Sequence, residues 1–310
     1  MQSPSITVLM TVYNGMPYLM ESLRSLFGQE DADFTLLVLN NGSSDGTRAW
    51  LDECAEKRGD GLPRFVIRHL PENIGRSHVL NTGLALVDSE ITVILDADDL
   101  AAPGRIARQR AFFAKHPEID LLGSDIIYID GAGSRIGEER FPSSHAELRD
   151  NLPLFNQFAH SACAFRTAAA RNAGGYDPRF PYAQDLALWV SMMRSGSLSA
   201  SLGETLASIR VHPGQATRDL SLLLVRAKDN HRLAEGMLSI PGMAGASRQA
   251  AMVRSGLALW RLKKRGAGVY RIWQAVARAP LGFALNPLLW RRLRLSLGKA
   301  VKRLIAIQQF

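Results

Sequence analysis

The stretch VILDADDLAAPGRI, residues 93–106, begins as an apolar run and then turns acidic. Asp96, Asp98 and Asp99 fall within four positions, at the end of what the run predicts to be a buried β-strand. Like charges this close raise one another's pKa, so folding alone gains nothing from them. Carboxylates at a strand end suit Mg²⁺ or Mn²⁺, and a bound ion cancels their repulsion. The stretch therefore predicts a strand with a metal site at its end; the alternative is that Asp98 or Asp99 caps a helix starting near Pro103.

Strand and helix patterns alternate through the first 130 residues. Apolar, β-rich runs separated by segments of helical periodicity occur at SITVLMTVYN (5–14), FTLLVLNNG (34–42), RFVIRHL (64–70) and EITVILDADD (90–99). Continuous apolar strands that alternate with helices predict an α/β fold, with a mostly parallel sheet flanked by helices.

Polar residues follow three of these strands. Tyr13-Asn14 follow the first, Asn40-Asn41 end the second, and the aspartates follow the fourth. Ligands of parallel sheets bind beyond the carboxyl ends of the strands, so we expect these residues to converge on one edge. No strand is followed by GxGxxG and the Walker pattern is missing, which argues against a dinucleotide or P-loop site.

Charge divides the chain into two parts. Of the net charge of +8, residues 221–310 carry +15, because 17 Lys and Arg there face only Asp229 and Glu235. The remainder carries −7. This asymmetry predicts an appended module with an anionic partner. We place the boundary near 220–245, where SIPGMAGAS (239–247) is typical of a linker.

Other features bound the compartment. Cys54 and Cys163 have no CxxC partner, which argues against a disulfide framework or a zinc site and favours a reducing environment. The start, MQSPSITVLM, has no basic region before a long apolar core, so we expect no signal peptide. The apolar stretch APLGFALNPLLW (279–290) is too short and too interrupted to span a bilayer.

Five segments follow one another along residues 5–215: TVYNG (11–15), NNGSSDGT (40–47), NIGRSHVLNTGL (73–84), LDADD (95–99) and GGYDPRFPYAQDLALW (174–189). In this order they resemble the motifs of family-two glycosyltransferases, which are inverting enzymes of the Rossmann-like GT-A fold. Such enzymes use a nucleotide-diphosphate sugar. The resemblance implies a nucleotide-sugar-binding half at 1–130 and an acceptor and catalytic-base half at 131–220, followed by a basic helical region at 221–310.

The resemblance also assigns roles. It implies that Asp185 is the catalytic base, and that Asp98 holds the Mg²⁺ or Mn²⁺ with His212 beside it. Asp96 is expected to meet the ribose or a metal-bound water. The remaining candidates on the donor side are Thr11, Tyr13, Asn41 and Arg76, and His160 resembles a position near the acceptor.

Two departures from the family pattern bear on these roles. Asn40 and Asn41 replace an acidic pair that helps to bind the nucleobase, and an amide donates as well as accepts. UDP therefore cannot be assumed over dTDP or GDP. Gln184 replaces the usual Glu before Asp185, so the resemblance assigns a role to Asp185 but none to position 184.

The tail carries a separate prediction. Asn286 and Pro287 suit the start of a helix. Over 286–305 one face is leucine-rich and the opposite face is mostly basic, which is typical of a helix lying on an anionic membrane. A helix packed on the catalytic domain is the alternative. No nucleic-acid-binding motif accompanies the charge, so we expect no nucleic-acid partner.

The sequence therefore predicts a metal-dependent inverting glycosyltransferase that acts at the cytoplasmic membrane face on a glycan or lipid-linked acceptor. Two alternatives stay open. A sugar-nucleotidyltransferase would share an α/β nucleotide site, but TVYNG lacks the Gly-rich, basic first loop expected of one. A non-catalytic nucleotide-sugar-binding protein would keep the fold without turnover, although the presence of Asp98 and Asp185 counts against it.

Overall fold

The structure is a computed structural model that describes residues 3–57, 62–214, 222–262 and 264–278. Packing divides the chain into two units, one formed by 1–148 with 157–219 and the other by 149–156 with 220–310. Within the described part of the first unit, nine strands form one sheet in the order β3-β2-β1-β4-β8-β6-β9-β5, with β7 on β6. The strands are β1 (Ile6–Val12), β2 (Thr35–Asn41), β3 (Arg64–Leu70), β4 (Ile91–Ile94), β5 (Leu100–Ala101), β6 (Ile119–Ile129), β7 (Arg135–Glu139), β8 (Ala164–Arg166) and β9 (Leu198–Arg210).

Helices connect most of these strands. They are α1 (Leu19–Phe27), α2 (Thr47–Glu56), α3 (Arg76–Leu86), α4 (Arg105–Lys115), α5 (His145–Asn151), α6 (Thr167–Asn172) and α7 (Gln184–Arg194), with a 3₁₀ turn at His160–Ala162. Helix α1 forms as its apolar spacing predicts, because Leu19, Leu23 and Leu26 are all fully buried against the sheet. Strands β3, β2, β1 and β4 run parallel to one another and β6 is parallel to β9, so the predicted α/β fold with a mostly parallel sheet is confirmed.

The helix-cap alternative for the acidic cluster is wrong. Helix α4 begins at Arg105, its N-cap is Gly104, and no side chain caps it. The aspartates lie in the short connection between β4 and β5, and their side chains contact other elements.

Strand pairing determines which residues meet the acidic cluster. Strand β8 runs antiparallel to β4 with Ala164 opposite Val93, which brings the 3₁₀ turn at 160–162 beside Asp96. Strand β5 runs antiparallel to β9 with Leu100 opposite Ser208. In an antiparallel pair, the position two residues before Leu100 therefore lies opposite the position two residues after Ser208. This register brings Asp98 close to Arg210 and to the residues that follow β9.

The second unit is helical in its described part. Besides residues 149–156 it contains α8 (Leu223–Met237), α9 (Gly245–Arg261) and α10 (Arg265–Arg278). The expected linker SIPGMAGAS lies inside this unit, where residues 239–244 connect α8 to α9 and residues 245–247 begin α9. The predicted helix at 286–305 lies outside the described residues. Among the helices that are described, none has both the length and the apolarity needed to cross a bilayer.

Candidate active site

Asp96 is ionised by its surroundings. His160 Nδ1 lies 3.1 Å from Asp96 Oδ1, and the Tyr176 hydroxyl lies 3.0 Å from His160 Nε2. Burial alone would raise the pKa of Asp96, but His160, with Arg76 and Ser161, lowers that pKa to about 2. An ionised carboxylate only accepts hydrogen bonds, so the hydrogen of this contact is on His160 Nδ1. The chain Asp96–His160–Tyr176 thus fixes the direction of the Asp96 carboxylate.

Asp98 faces His212 at the other side of the cluster. His212 Nε2 lies 3.1 Å from Asp98 Oδ2, and the two side chains are 16% and 32% exposed. The ring of His212 packs on Tyr18, with 4.8 Å between the ring centroids. The Arg210 guanidinium lies 4.7 Å from the same Tyr18 centroid. Tyr18 therefore supports both side chains that approach Asp98 from the end of β9.

Arg210 joins three parts of the chain beneath Asp98. Its side chain is fully buried, and Nε donates to the backbone oxygen of Asp98 over 2.9 Å. One terminal nitrogen donates to Glu21 over 2.6 Å, and the other lies 3.3 Å from the carbonyl oxygens of Asp130 and Gly131. The acidic connection is thereby tied to α1 and to the turn after β6.

Asp99 serves the fold of the site. Its carboxylate accepts the Ser161 hydroxyl hydrogen and the backbone N–H of Arg210, the latter over 2.8 Å. Ser161 in turn accepts from the backbone N–H of Asp96 over 3.0 Å. Burial raises the pKa of Asp99 well above its ordinary value, and the charges of Asp98 and Asp96 raise it further. Asp99 is only 4% exposed, so it braces the connection while Asp96 and Asp98 remain partly accessible.

Asp185 lies in the first turn of α7. Trp189, one turn further along this helix, is fully buried and packs near the rings of Phe165 and His160, with centroid distances of 5.8 and 6.3 Å. This packing holds the start of α7 beside the cluster. Burial raises the pKa of Asp185, an effect that the nearby charges of His160 and Arg76 partly offset. A carboxylate with a raised pKa is a stronger proton acceptor than an exposed aspartate, as a general base requires.

The structure thus brings several of the predicted residues together. Asp96, Asp185 and Arg76 are close enough for their charges to act on one another, and Asp98 contacts His212 directly. Gln184, beside the predicted base, is 3% exposed, and its Oε1 has no hydrogen-bond partner among the described residues.

The amides at the end of β2 are engaged within the protein. Asn41 Nδ2 donates to Asn73 Oδ1, and Asn41 Oδ1 accepts from the backbone N–H of Ile74, both over 3.0 Å. Asn40 Nδ2 donates to His69 Nδ1 over 3.0 Å, and its oxygen accepts from the backbone N–H of Ser43. In the structure both side chains shape the loops around the strand ends, which is a role that the sequence reasoning did not assign to them.

Thr11 and Tyr13 lie at the end of β1, which pairs with β4. Thr11 is half-buried in β1, and Tyr13 follows that strand with its side chain 50% exposed. Within the described residues no hydrogen bond or ion pair joins either of them to the acidic cluster. Tyr13 offers an exposed ring face at the strand end, as a base pocket needs.

The residues at the cluster fit a divalent ion that is shared with a substrate. Two neighbouring ligands of an octahedral ion with bonds of about 2.1 Å lie about 3.0 Å apart. Asp98 Oδ2 and His212 Nε2 are 3.1 Å apart. Among the residues described, no group of three or more His, Cys, Asp and Glu side chains is arranged to hold a metal by itself. Such a pair matches Mg²⁺ or Mn²⁺ sites that use one or two carboxylates together with substrate phosphates and water.

Sequence reasoning did not find the supporting residues Tyr18, Arg210 and Ser161. Tyr18 belongs to the periodic pattern before α1 and resembles a core residue. One signal for Arg210 was available in the sequence. It is the charged residue of the segment SIRVH (208–212) and lies two positions before His212. Only the β5–β9 register reveals what that arginine contacts.

Comparison with known sequences gives a consistent result. The profile of the family described as "Glycosyl transferase family 2" matches residues 7–173. An uncharacterised glycosyltransferase of Haemophilus influenzae is 26% identical over 223 residues, covering 69% of this chain and 68% of the relative. The O-antigen biosynthesis glycosyltransferase WbnJ of Escherichia coli is 26% identical over 214 residues, covering 67% of this chain and 80% of the relative.

Two solved structures share the fold. S. aureus TarS 1–349 in complex with UDP-GlcNAc superposes with a TM-score of 0.64 at 17% identity, covering 83% of this chain and 72% of that TarS fragment. The mannosyltransferase PcManGT of Pyrobaculum calidifontis, in complex with GDP-Man and Mn²⁺, gives a TM-score of 0.61 at 19% identity, covering 98% and 88%. At these identities the likeness shows the fold alone.

Proposed function

The chain belongs to glycosyl transferase family 2 and is a glycosyltransferase, and we propose that it is a metal-dependent, inverting one. It moves a sugar from a nucleotide-diphosphate sugar to an acceptor hydroxyl. The family membership decides against the nucleotidyltransferase and the non-catalytic binding protein. The observation that carries the proposal is the pairing of Asp98 with His212 beside the half-buried, electrostatically linked Asp96 and Asp185.

The residues divide the chemistry between them. Asp185 takes the proton from the acceptor hydroxyl, and the oxygen so activated bonds to the anomeric carbon while the bond to the diphosphate breaks on the opposite face. Asp96, held ionised by His160, orients the ribose or a metal-bound water. Arg76 is exposed at the start of α3 and supplies positive charge on the donor side. Asp98 and His212 would hold Mg²⁺ or Mn²⁺, which when bound neutralises charge on the departing diphosphate.

The proposed nucleobase site lies at the ends of β1 and β2. Thr11 and Tyr13 line it, and Asn41 contributes through the loop that it holds at Asn73 and Ile74. The related structures contain different bases, UDP-GlcNAc in TarS and GDP-Man in PcManGT. Sugars linked to uridine diphosphate or guanosine diphosphate are therefore the first donors to test.

The acceptor is a surface-polysaccharide precursor, either a glycan or a lipid-linked intermediate. The O-antigen biosynthesis role of WbnJ supports this, since the match extends over 67% of this chain and 80% of WbnJ. In this proposal residues 1–220 carry catalysis, with donor binding in 1–130 and the base and acceptor side in 131–220. The basic region 221–310, including the residues 286–305 that the sequence predicts to be helical, holds the enzyme at an anionic membrane surface on the cytoplasmic side.

Calorimetry tests the metal-dependent donor site. UDP and GDP are titrated with and without Mn²⁺ into wild type, Asp98→Asn and Asp88→Asn, the last an exposed aspartate after α3 that serves as the matched control. We expect Mn²⁺ to tighten binding to wild type and control by about tenfold or more, a gain of about 1.4 kcal/mol. Asp98→Asn should lose that gain and keep its fold. Equal affinity of the wild type with and without Mn²⁺ would overturn the metal site.

A further inference from the structure

Helix α10 exposes an apolar face. The side chains of Val269, Tyr270 and Trp273 are 52%, 59% and 60% exposed. At 100° per residue the three fall within an arc of about 100°. The rings of Tyr270 and Trp273 stack, with 6.1 Å between centroids and 17° between planes. These three residues form the α10 face.

The opposite side of α10 is the one that packs inside the unit. A Cβ at Gly268 would come within 2.8 Å of the Gly256 carbonyl oxygen, so the backbones of α9 and α10 touch at this point. Ala275, on the same side as Gly268, is fully buried. The unit's own packing therefore accounts for one side of α10 and leaves the α10 face to another contact.

The chemistry of the α10 face indicates a membrane surface. Single exposed apolar residues are normal, but adjacent large ones on one helix face mark an interaction site. Tyrosine and tryptophan combine an apolar ring with one polar group, which suits the boundary between lipid tails and water.

Basic residues near the start of α10 specify the kind of membrane. From the last residue of α9 to the first residue of α10 the sequence is RLKKR (261–265), with four basic residues in five positions. Arg261 and Lys264 have exposed side chains. No acidic residue follows Glu235 anywhere in the chain, so nothing in the sequence from there on offsets this charge. Apolar rings combined with a basic cluster are the two signals that together hold a protein on anionic lipid.

We propose that the α10 face rests on the headgroup layer of an anionic membrane together with the basic side chains of Arg261 and Lys264. This site consists of residues other than those of the helix predicted at 286–305. It deepens the proposed function, on which it rests, by naming residues that bring the enzyme to a lipid-linked acceptor.

Vesicle sedimentation of the full chain tests the proposal. The vesicles contain phosphatidylcholine with or without phosphatidylglycerol. The variants are Tyr270→Ala/Trp273→Ala and Arg261→Gln/Lys264→Gln, and Ile136→Ala, at an exposed isoleucine of β7, is the control. Removing two charges should weaken binding to anionic vesicles about 30-fold at low salt, since each contributes roughly fivefold. The aromatic variant should lose about tenfold, which corresponds to roughly 60 Å² of apolar surface left in water, and this loss should persist at high salt.

Three results would overturn the proposal. One is unchanged vesicle binding by both double variants. Another is a melting temperature without lipid that falls by many degrees in Tyr270→Ala/Trp273→Ala, because the α10 face would then be covered by the chain's own residues. The third is a concentration-dependent dimer that the aromatic variant abolishes, because a second copy would then be the partner. Release of nucleoside diphosphate from a sugar donor, measured without vesicles, reports separately on the proposed glycosyl transfer.

Discussion

Replacing Arg210 by methionine tests how the acidic connection is held in place. Methionine keeps an apolar stem of similar length but removes every donor. The change orphans the backbone oxygen of Asp98, which accepts from Arg210 over 2.9 Å, and weakens the support of the carbonyls of Asp130 and Gly131. It also removes the cation from the face of Tyr18.

The expected cost follows from these contacts. Leaving the Asp98 carbonyl unsatisfied costs about 2 kcal/mol, and the two longer contacts together cost about 1 kcal/mol. Loss of the cation–π contact adds about 1 kcal/mol. The pair with Glu21 adds little, because that carboxylate is 55% exposed. The total of about 4 kcal/mol should lower the melting temperature by roughly 8–16 °C in a unit of this size.

Thermal and urea unfolding, followed by circular dichroism, measures this loss. Arg108→Met is the matched control, because Arg108 pairs with Glu204 with both side chains about half exposed. It should cost under about 1 kcal/mol, and so should Glu21→Gln. If Arg210→Met unfolds within 1 kcal/mol of wild type, or no differently from Arg108→Met, the connection does not depend on this arginine.

Two further predictions concern the neighbouring carboxylates. Asp185→Asn should lower the rate of glycosyl transfer by about 10²-fold or more with nucleotide affinity nearly unchanged, and a rate within a few-fold of wild type would place the base elsewhere. Because burial raises the pKa of Asp185, the acid limb of the wild-type pH–rate profile should lie above the ordinary aspartate pKa of 3.8. Because the folded state raises the pKa of Asp99, ionising Asp99 costs stability as pH rises above 3.8. Asp99→Asn should therefore raise the melting temperature at pH 7, with a gain that shrinks below the ordinary pKa, and a gain equally large in acid would contradict this reasoning.

The sequence predicts the first four strands of the sheet and the location of the acidic cluster at the end of β4, but not β5 to β9. Long apolar runs separated by segments of helical periodicity are compatible with few folds other than α/β. Three aspartates directly after β4 are not needed for folding and therefore indicate a binding or catalytic site. The pairing of Asp98 with His212 followed from family resemblance, since 114 positions separate the two residues and no local pattern connects them.

The supporting contacts could not be predicted for a physical reason. They depend on strand β5, which is only two residues long and has no periodicity to detect. Its register against β9 decides that Arg210, and no neighbouring residue, lies under Asp98. The contacts of Asn41 could not be predicted either, because a buried amide can bind a ligand or a loop. Only the structure shows that its two polar atoms contact Asn73 and Ile74.

The order in which a ribosome delivers the chain gives the β5–β9 pairing a further consequence. Asp96 and Asp98 leave the exit tunnel long before Ser161, and longer still before Arg210 and His212. A nascent chain that ends before Ser161 has the donor-side strands β1 to β4 but lacks the partners that brace the aspartates. The site is therefore assembled only near the end of synthesis of the first unit, and an enzyme truncated before β9 retains the acidic motif without the geometry that makes it useful.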